Sequence, residues 1–271
     1  MCILFIYTNP NPPAGGYRLI VASNRDEFYR RPARDAFLCP ETGIIGGRDM
    51  EPGREGGMWL GVSVKPPAIK FGALLNVTGE EKRQATSGRG PLVHDYLKTD
   101  ETALDYVRNL PTETYSAFNL FMMEVTKDKS SGYHHSNSPQ ATKQYHGAQV
   151  LAFGNSTPDA PFTKVKAGRE KFKEIIARAP DRDGLVAGLI DLLKCGDLHL
   201  PDPELERRAP RGVGFLSAIF VSMRNGGYGT RTHSVVLVDD ECNVEFVEHT
   251  MRAPIDPENP EWDVTVVKSR L

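Results

Sequence analysis

A chain of 271 residues with 39% hydrophobic and 25% charged side chains has the composition of an ordinary soluble protein and is long enough to bury a sizeable core. Its 33 Lys and Arg against 35 Asp and Glu leave a formal net charge of −2, which excludes overall electrostatic attraction as a route to nucleic acid or an anionic membrane. The four scattered cysteines, Cys2, Cys39, Cys195 and Cys242, form no C-x-x-C pair, zinc spacing or haem-attachment motif and suit a reducing compartment.

Residues 1–8 predict a strand with Cys2, Leu4 and Ile6 on one face and Ile3, Phe5 and Tyr7 on the other. Both faces are apolar, so the strand is expected to be central and buried on both sides. The Pro-rich run 9–16 predicts a turn, and 17–23 a returning strand. Residues 24–28 are expected at the end of that strand, where a loop presents polar side chains, and a hairpin then brings Arg25 and Asp26 near Cys2. The Gly-rich, charged run 41–57 reads as a surface loop. Strands are predicted over 58–64 and 71–77, helices over 92–98 and 102–110, and strands over 119–126 and 150–153. Helices follow over 164–178 and 184–194. The charged, Pro-rich run 202–211 reads as a solvated loop, and strands are predicted over 217–222, 234–239, 244–249 and 264–268. No repeat, low-complexity tract or linker divides the chain, so 1–271 is expected to form one α+β domain of two antiparallel sheets between helices. The apolar start ends at Asn9-Pro10, too short for a signal-peptide core, and no basic residue precedes Arg18. The longest apolar stretch, 212–223, is too short to cross a bilayer, so no transmembrane segment and a cytosolic address are expected.

The chemistry starts at Met1-Cys2. Removal of Met1 is expected before a residue as small as Cys, leaving a thiol and an α-amine on one residue. An α-amine with its ordinary pKa near ~7.7–8.0 suits the role of base for that thiol, and a cation such as Arg25 stabilises a thiolate. Asn24-Arg25-Asp26-Glu27 supplies an amide, a cation and two carboxylates: an Asp holds an α-ammonium, an Arg orients a thiolate or a carbonyl. Asn76 and Asn155 each follow a predicted strand, where the amide NH2 can serve as an oxyanion donor. Arg231 is expected just before the strand at Ser234. Each feature alone also has a bland reading: a buried small hydrophobe for Cys2, a solvated turn for the charge cluster, turn formers for the asparagines.

Together they resemble the penicillin V acylase and bile-acid amide hydrolase group of N-terminal-nucleophile enzymes. That resemblance implies Cys2 as nucleophile and base, Arg25 and Asp26 holding it, Asn76 and Asn155 as oxyanion or amine contacts, and Arg231 supporting the site. Asn24 and Glu27 are assigned to ligand binding. Arg25 and Asp26 are adjacent here, whereas those hydrolases separate the pair by two residues, and adjacent strand residues face opposite ways.

A second resemblance covers nearly the whole chain. Met1-Cys2-Ile3, Ala22-Ser23-Asn24-Arg25-Asp26-Glu27-Phe28, Glu55-Gly56-Gly57 with Trp59-Leu60-Gly61, Gly88-Arg89-Gly90, Phe118-Asn119-Leu120, Leu200-Pro201-Asp202-Pro203 and Tyr228-Gly229-Thr230-Arg231-Thr232 are similar to the Transport and Golgi Organisation protein 2 family, whose namesake motif is the Asn-Arg-Asp-Glu run. The resemblance implies a cytosolic and mitochondrial protein linked to Golgi organisation and secretion, with roles in haem trafficking and in acyl-CoA or lipid homeostasis. Two functions compete on one pocket: binding and handing on a small molecule (haem or an acyl-CoA-like lipid), or hydrolysis of an amide or thioester at Cys2. No cofactor is required by either, haem entering only as cargo, and no metal site is expected. His134-His135 is read as an exposed loop pair and Cys39-Pro40 as a loop, while His233, close after Arg231, is read equally as facing the pocket or as a satisfied strand histidine. Gly56-Gly57 is read as a tight loop, with a basic lip from Arg48 and Arg54 within reach of CoA phosphates.

Overall fold

The alternation of apolar residues at the chain start becomes the middle of a sheet. The computed structural model describes residues 1–80 and 88–271. In chain order the elements are β1 (Ile3–Thr8), β2 (Tyr17–Phe28), β3 (Ala33–Leu38), β4 (Ile44–Asp49), β5 (Leu60–Lys65) and β6 (Ala68–Asn76). Then come α1 (Pro91–Lys98), α2 (Ala103–Arg108), β7 (Phe118–Val125), β8 (Ser130–Asn137), β9 (Gln140–His146) and β10 (Gln149–Phe153). The last part holds α3 (Thr163–Arg178), α4 (Arg182–Leu193), α5 (Pro203–Arg208), α6 (Val213–Leu216), β11 (Ser222–Met223), β12 (Tyr228–Asp239), β13 (Asn243–Met251) and β14 (Trp262–Arg270).

The first sheet has the order β10-β1-β2-β12-β13-β14, with β11 also paired to β12; the second has the order β3-β4-β5-β6-β7-β8-β9. The strand pairs are antiparallel in both. Ile3 and Phe5 of β1 pack under α3 and α4 with Phe172 and Leu189. Leu4 and Ile6 point the other way, against Val62, Phe71 and Phe121 of the second sheet. The outer face of that sheet, with Leu120 and Met122, is covered by Leu92, Val93 and Tyr96 of α1. The result is the expected α+β sandwich, helices outside and two sheets inside, with each fully buried Leu, Ile or Phe contributing about 1.5–3 kcal/mol.

Glycines set how closely the layers approach. Gly61 and Gly72 face each other across β5 and β6, and a Cβ on Gly72 would meet Val93 and Tyr96 of α1 at 3.1 and 3.3 Å. A Cβ on Gly168 of α3 would lie 2.5 Å from the Phe5 ring, which is stacked on Phe172 at 5.5 Å.

Several expectations are corrected. Residues 24–28 lie inside β2, paired with β12 from Asn24 opposite His233 to Phe28 opposite Tyr228. The run 41–57 contains β4, almost wholly buried; its Gly47 leaves room for the Trp59 ring, which a Cβ would meet at 2.6 Å. Within 202–211, Asp202 accepts the Leu205 N–H at 3.0 Å and caps α5, with Pro203 in the first turn. Ile219 and Val221 are buried as expected of a strand, but only Ser222–Met223 pairs. His134 and His135 lie in β8 and are 3% and 2% exposed. His134 stacks on Phe121 and pairs with Asn119 Oδ1 at 2.9 Å; burial lowers its pKa to about 3, so it is neutral. Among the described residues no helix is long and apolar enough to cross a membrane.

Candidate functional site

Strand register brings the chain start to the Asn-Arg-Asp-Glu run. Ile3 is opposite Asn24, and the same antiparallel alignment carried back two residues sets Cys2 against Arg25 and Met1 against Asp26. The alternation that separates Arg25 from Asp26 equally separates Cys2 from Met1, so each member of one pair meets one of the other. Arg25 turns into the space between the sheets and lies over the Trp59 ring at 4.1 Å. Cys2 packs on that same side; its Sγ accepts the Asp26 N–H at 3.4 Å and lies 3.8 Å from the Asp26 carbonyl oxygen.

Asp26 turns to the helix side. Its Oδ1 accepts the Thr230 hydroxyl at 2.7 Å, and its Oδ2 meets the Met1 ammonium as an ion pair at 3.0 Å. That ammonium also donates to the Tyr228 hydroxyl. Lys164 of α3, fully buried, donates to the Ala218 carbonyl at 2.8 Å and reaches the Met1 carbonyl at 3.5 Å.

Burial dominates the electrostatics. Desolvation pushes the Cys2 thiol above its ordinary value, against the downward pull of the neighbouring ammonium and, more weakly, of Arg25. The resting sulfur at neutral pH is therefore a thiol, and Arg25 does not by itself make it a thiolate. Burial also lowers Arg25, with Glu27 opposing, and lowers Lys164, with Asp26 opposing. Arg25 is 5% exposed, and among the described residues its Nη1 has no hydrogen-bond partner.

These groups open on a cavity of about 830 Å³ whose walls include Cys2, Arg25, Asp26, Glu27, Trp59 and Asn76. Glu27 accepts the Phe28 N–H at 2.9 Å and lies 3.8 Å from Arg31. Asn76 ends β6 with its side chain exposed. The other predicted residues lie elsewhere. Asn24 faces the helices, donating to the Leu193 and Ile219 carbonyls at 2.8 and 3.0 Å and pairing with His233 Nδ1 at 2.6 Å. Asn155 donates its NH2 to the Asn76 carbonyl at 2.6 Å, so it fixes the end of β6 instead of facing the cavity. Arg231 lies within β12, and its Nη1 donates to the carbonyls of Phe28, Tyr29 and Arg31, binding the chain after β2; burial brings its pKa down to about 10. His134, His135 and His233 are absent from the cavity walls, and among the described residues no three metal-ligating side chains gather. A second hollow, about 550 Å³ between α3 and α4, holds none of the predicted residues.

Sequence reasoning missed Trp59, Lys164 and Tyr228. Lys164 left a readable trace: it shares the stripe of Gly168 and Phe172 at four-residue spacing, a cation on an apolar helix face. Tyr228 and Trp59 stood in the quoted motifs without an assigned part.

The family described as Transport and Golgi organisation 2 matches residues 1–253 of the chain. The Transport and Golgi organization protein 2 of Drosophila melanogaster is 39% identical over 278 residues, covering 99% of this chain and 98% of its own. The homolog of Homo sapiens is 35% identical over 282 residues, covering 100% and 99%, and that of Bos taurus 34% over 280 residues, covering 100% and 99%.

Proposed function

The chain belongs to the Transport and Golgi organisation 2 family, and from that membership we propose that it serves the transport and Golgi-organising role for which its relatives are named by holding an acyl-CoA-like ligand beside Cys2. Arg25 carries this reading. A buried guanidinium with an N–H unmatched among the described residues bears a desolvation cost of about 1–3 kcal/mol, which its contact with the Trp59 ring offsets only in part. A carboxylate, phosphate or thioester carbonyl entering the cavity supplies the missing acceptor. The volume of about 830 Å³ falls in the ordinary range for small-molecule sites, roughly 300–1,000 Å³. In this reading the protein carries its cargo, which ties the cavity to lipid homeostasis and secretion. Haem is the other cargo supported: its carboxylates suit Arg25, and Cys2, Met58 and Tyr115 on the walls are of types that ligate haem iron.

A second reading has Cys2 react. Its sulfur would bond the acyl carbon of a thioester, the original thiol would leave with the proton, and water would later release the acid. The closeness of an α-ammonium, Asp26 and the thiol favours it. It needs the amine to belong to Cys2, which requires loss of Met1.

Calorimetry with palmitoyl-CoA and a Soret titration with haem test the cargo reading. Arg25→Ala is expected to weaken palmitoyl-CoA binding about tenfold, ~1.4 kcal/mol. Equal affinity in the two proteins, or no binding by the wild type, overturns it. Intact mass after incubation distinguishes the second reading: retained Met1 with no Cys2 adduct removes it.

A further inference from the structure

The two sheets end in four edge strands, β10 and β14 in the first, β3 and β9 in the second. An open edge offers unpaired N–H and C=O groups to a strand of another chain, and proteins guard it by short length, irregular register or charge. Three of the four edges are guarded in this way. β10 has only five residues. β3 loses its regular pairing between Arg34 and Phe37. β9 is exposed along almost its whole length and presents Gln140, Thr142, Lys143 and Gln144 there. β14 lacks these devices: its nine residues pair without a break along β13 and include no proline or glycine. Among the described residues no other strand pairs with it.

The side chains of this strand are apolar in the middle and oppositely charged at the ends. Val264 and Val266 are 58% and 48% exposed, on the face that also carries Trp262, Lys268 and Arg270, because alternate strand residues share a face. Val267, on the other face, packs between the sheets. Residues 264–267 carry no charge. Glu261 and Asp263 stand at the start of the strand and Lys268 and Arg270 at its end, all four side chains at least 40% exposed, and each also paired within its own chain. Exposed pairs of that kind contribute little and are free to rearrange.

A second copy of the same strand, laid antiparallel, matches this pattern: the acidic start of one meets the basic end of the other, and the uncharged middles meet. A parallel copy would set like charges side by side. We propose that two copies of this chain join edge to edge through β14, antiparallel about a twofold axis at Thr265, so that the first sheet continues into that of the partner. In this register Val264 faces the partner's Val266, Thr265 faces the partner's Thr265, and Trp262 faces the partner's Lys268. The twofold axis makes each unlike pair twice. Paired β-branched side chains, and a cation beside an indole, are the cross-strand contacts that stabilise a sheet.

Sedimentation of the full chain over a dilution series reads the assembly. The wild type is expected to approach twice the mass of one chain as concentration rises. Val266→Lys puts a charge into the uncharged stretch, opposite the partner's Val264, and is expected to raise the dissociation constant about tenfold or more with the melting temperature of the isolated chain unchanged. Val264→Lys is expected to act alike, and decides alone should Val266→Lys melt early. Thr265→Cys is expected to give a disulfide-linked dimer under mild oxidation, because opposed Cβ atoms in an antiparallel pair lie about 4.5–5.5 Å apart. The wild type and Lys143→Cys, on the edge strand β9, are expected to give none. A wild type of single-chain mass at every concentration overturns the proposal. So does a dimer that both lysine variants leave intact, or one in which Thr265→Cys forms no cross-link.

Discussion

Cys2 sits where two opposing influences on a thiol can be weighed. The ammonium at the chain start and Arg25 favour the thiolate, yet the loss of water outweighs them and the pKa rises. Cys2 alkylation by iodoacetamide is therefore expected to be slow at pH 7 and to climb only above the ordinary thiol pKa of about 8.5. Peptide mass mapping separates it from the other half-buried thiols, Cys39 and Cys195. A Cys2 rate already at its plateau near pH 7 contradicts the burial argument. Removing the Asp26 charge, which raises the thiol, is expected to move the profile to lower pH. The motif residues were legible because the first strand pair fixes their place. What Asn155 and Arg231 do was not legible: both bind main-chain carbonyls, and a backbone acceptor leaves no mark in side-chain spacing.

At the level of elements, one carboxyl links the two sheets. Glu248 of β13 is 1% exposed, and its Oε1 accepts the Ala36 N–H of β3 at 2.7 Å. Burial raises its pKa from 4.5 to about 7, with Asp35 adding to the rise and Thr250 and Arg25 opposing it. Between pH 4.5 and about 7 the folded protein holds a proton that the unfolded chain has released. Stability therefore falls as pH rises through that window and is lowest above it. Glu248→Gln keeps the acceptor for Ala36 and removes the charge. It is expected to flatten the pH dependence and to raise the melting temperature at pH 8, by an amount reflecting up to about 3 kcal/mol. A variant that melts lower at pH 8 and keeps the wild-type slope contradicts this. Elements were legible where one simple pattern ruled, as in β1, whose two apolar faces required a central strand. β8 and β9 were missed because their Ser, His, Asn and Gln residues give no alternation. In β8 those side chains are matched in pairs, His134 with Asn119, His135 with Thr142, Asn137 with the Phe118 N–H. β4 was hidden because its glycines read as a turn while serving to seat Trp59.

Taken as a whole, the molecule builds its cavity from both sheets: Cys2 enters from just before β1, Arg25 from β2, Trp59 from just before β5, Asn76 from the end of β6, and Gly90 from the start of α1. A ligand lying there touches both layers at once, so binding is expected to protect both from unfolding together. At a hundredfold excess over Kd this amounts to about 2.7 kcal/mol. The chain contains 2 tryptophans, and their positions give a direct reading. Trp59 lies on the cavity wall under Arg25, while Trp262 of β14 stacks on His233 at 4.7 Å, on the far side of the first sheet. Palmitoyl-CoA is expected to change the tryptophan emission of the wild type and of Trp262→Phe, and to leave that of Trp59→Phe unchanged. Emission that responds through Trp262 alone would place the ligand outside the sandwich, against the α3–α4 layer. Hydrogen exchange on the same samples supplies the second coordinate: amides of β1, β2, β5 and β6 should slow together, because Arg25 and the Trp59 ring it covers come from different sheets.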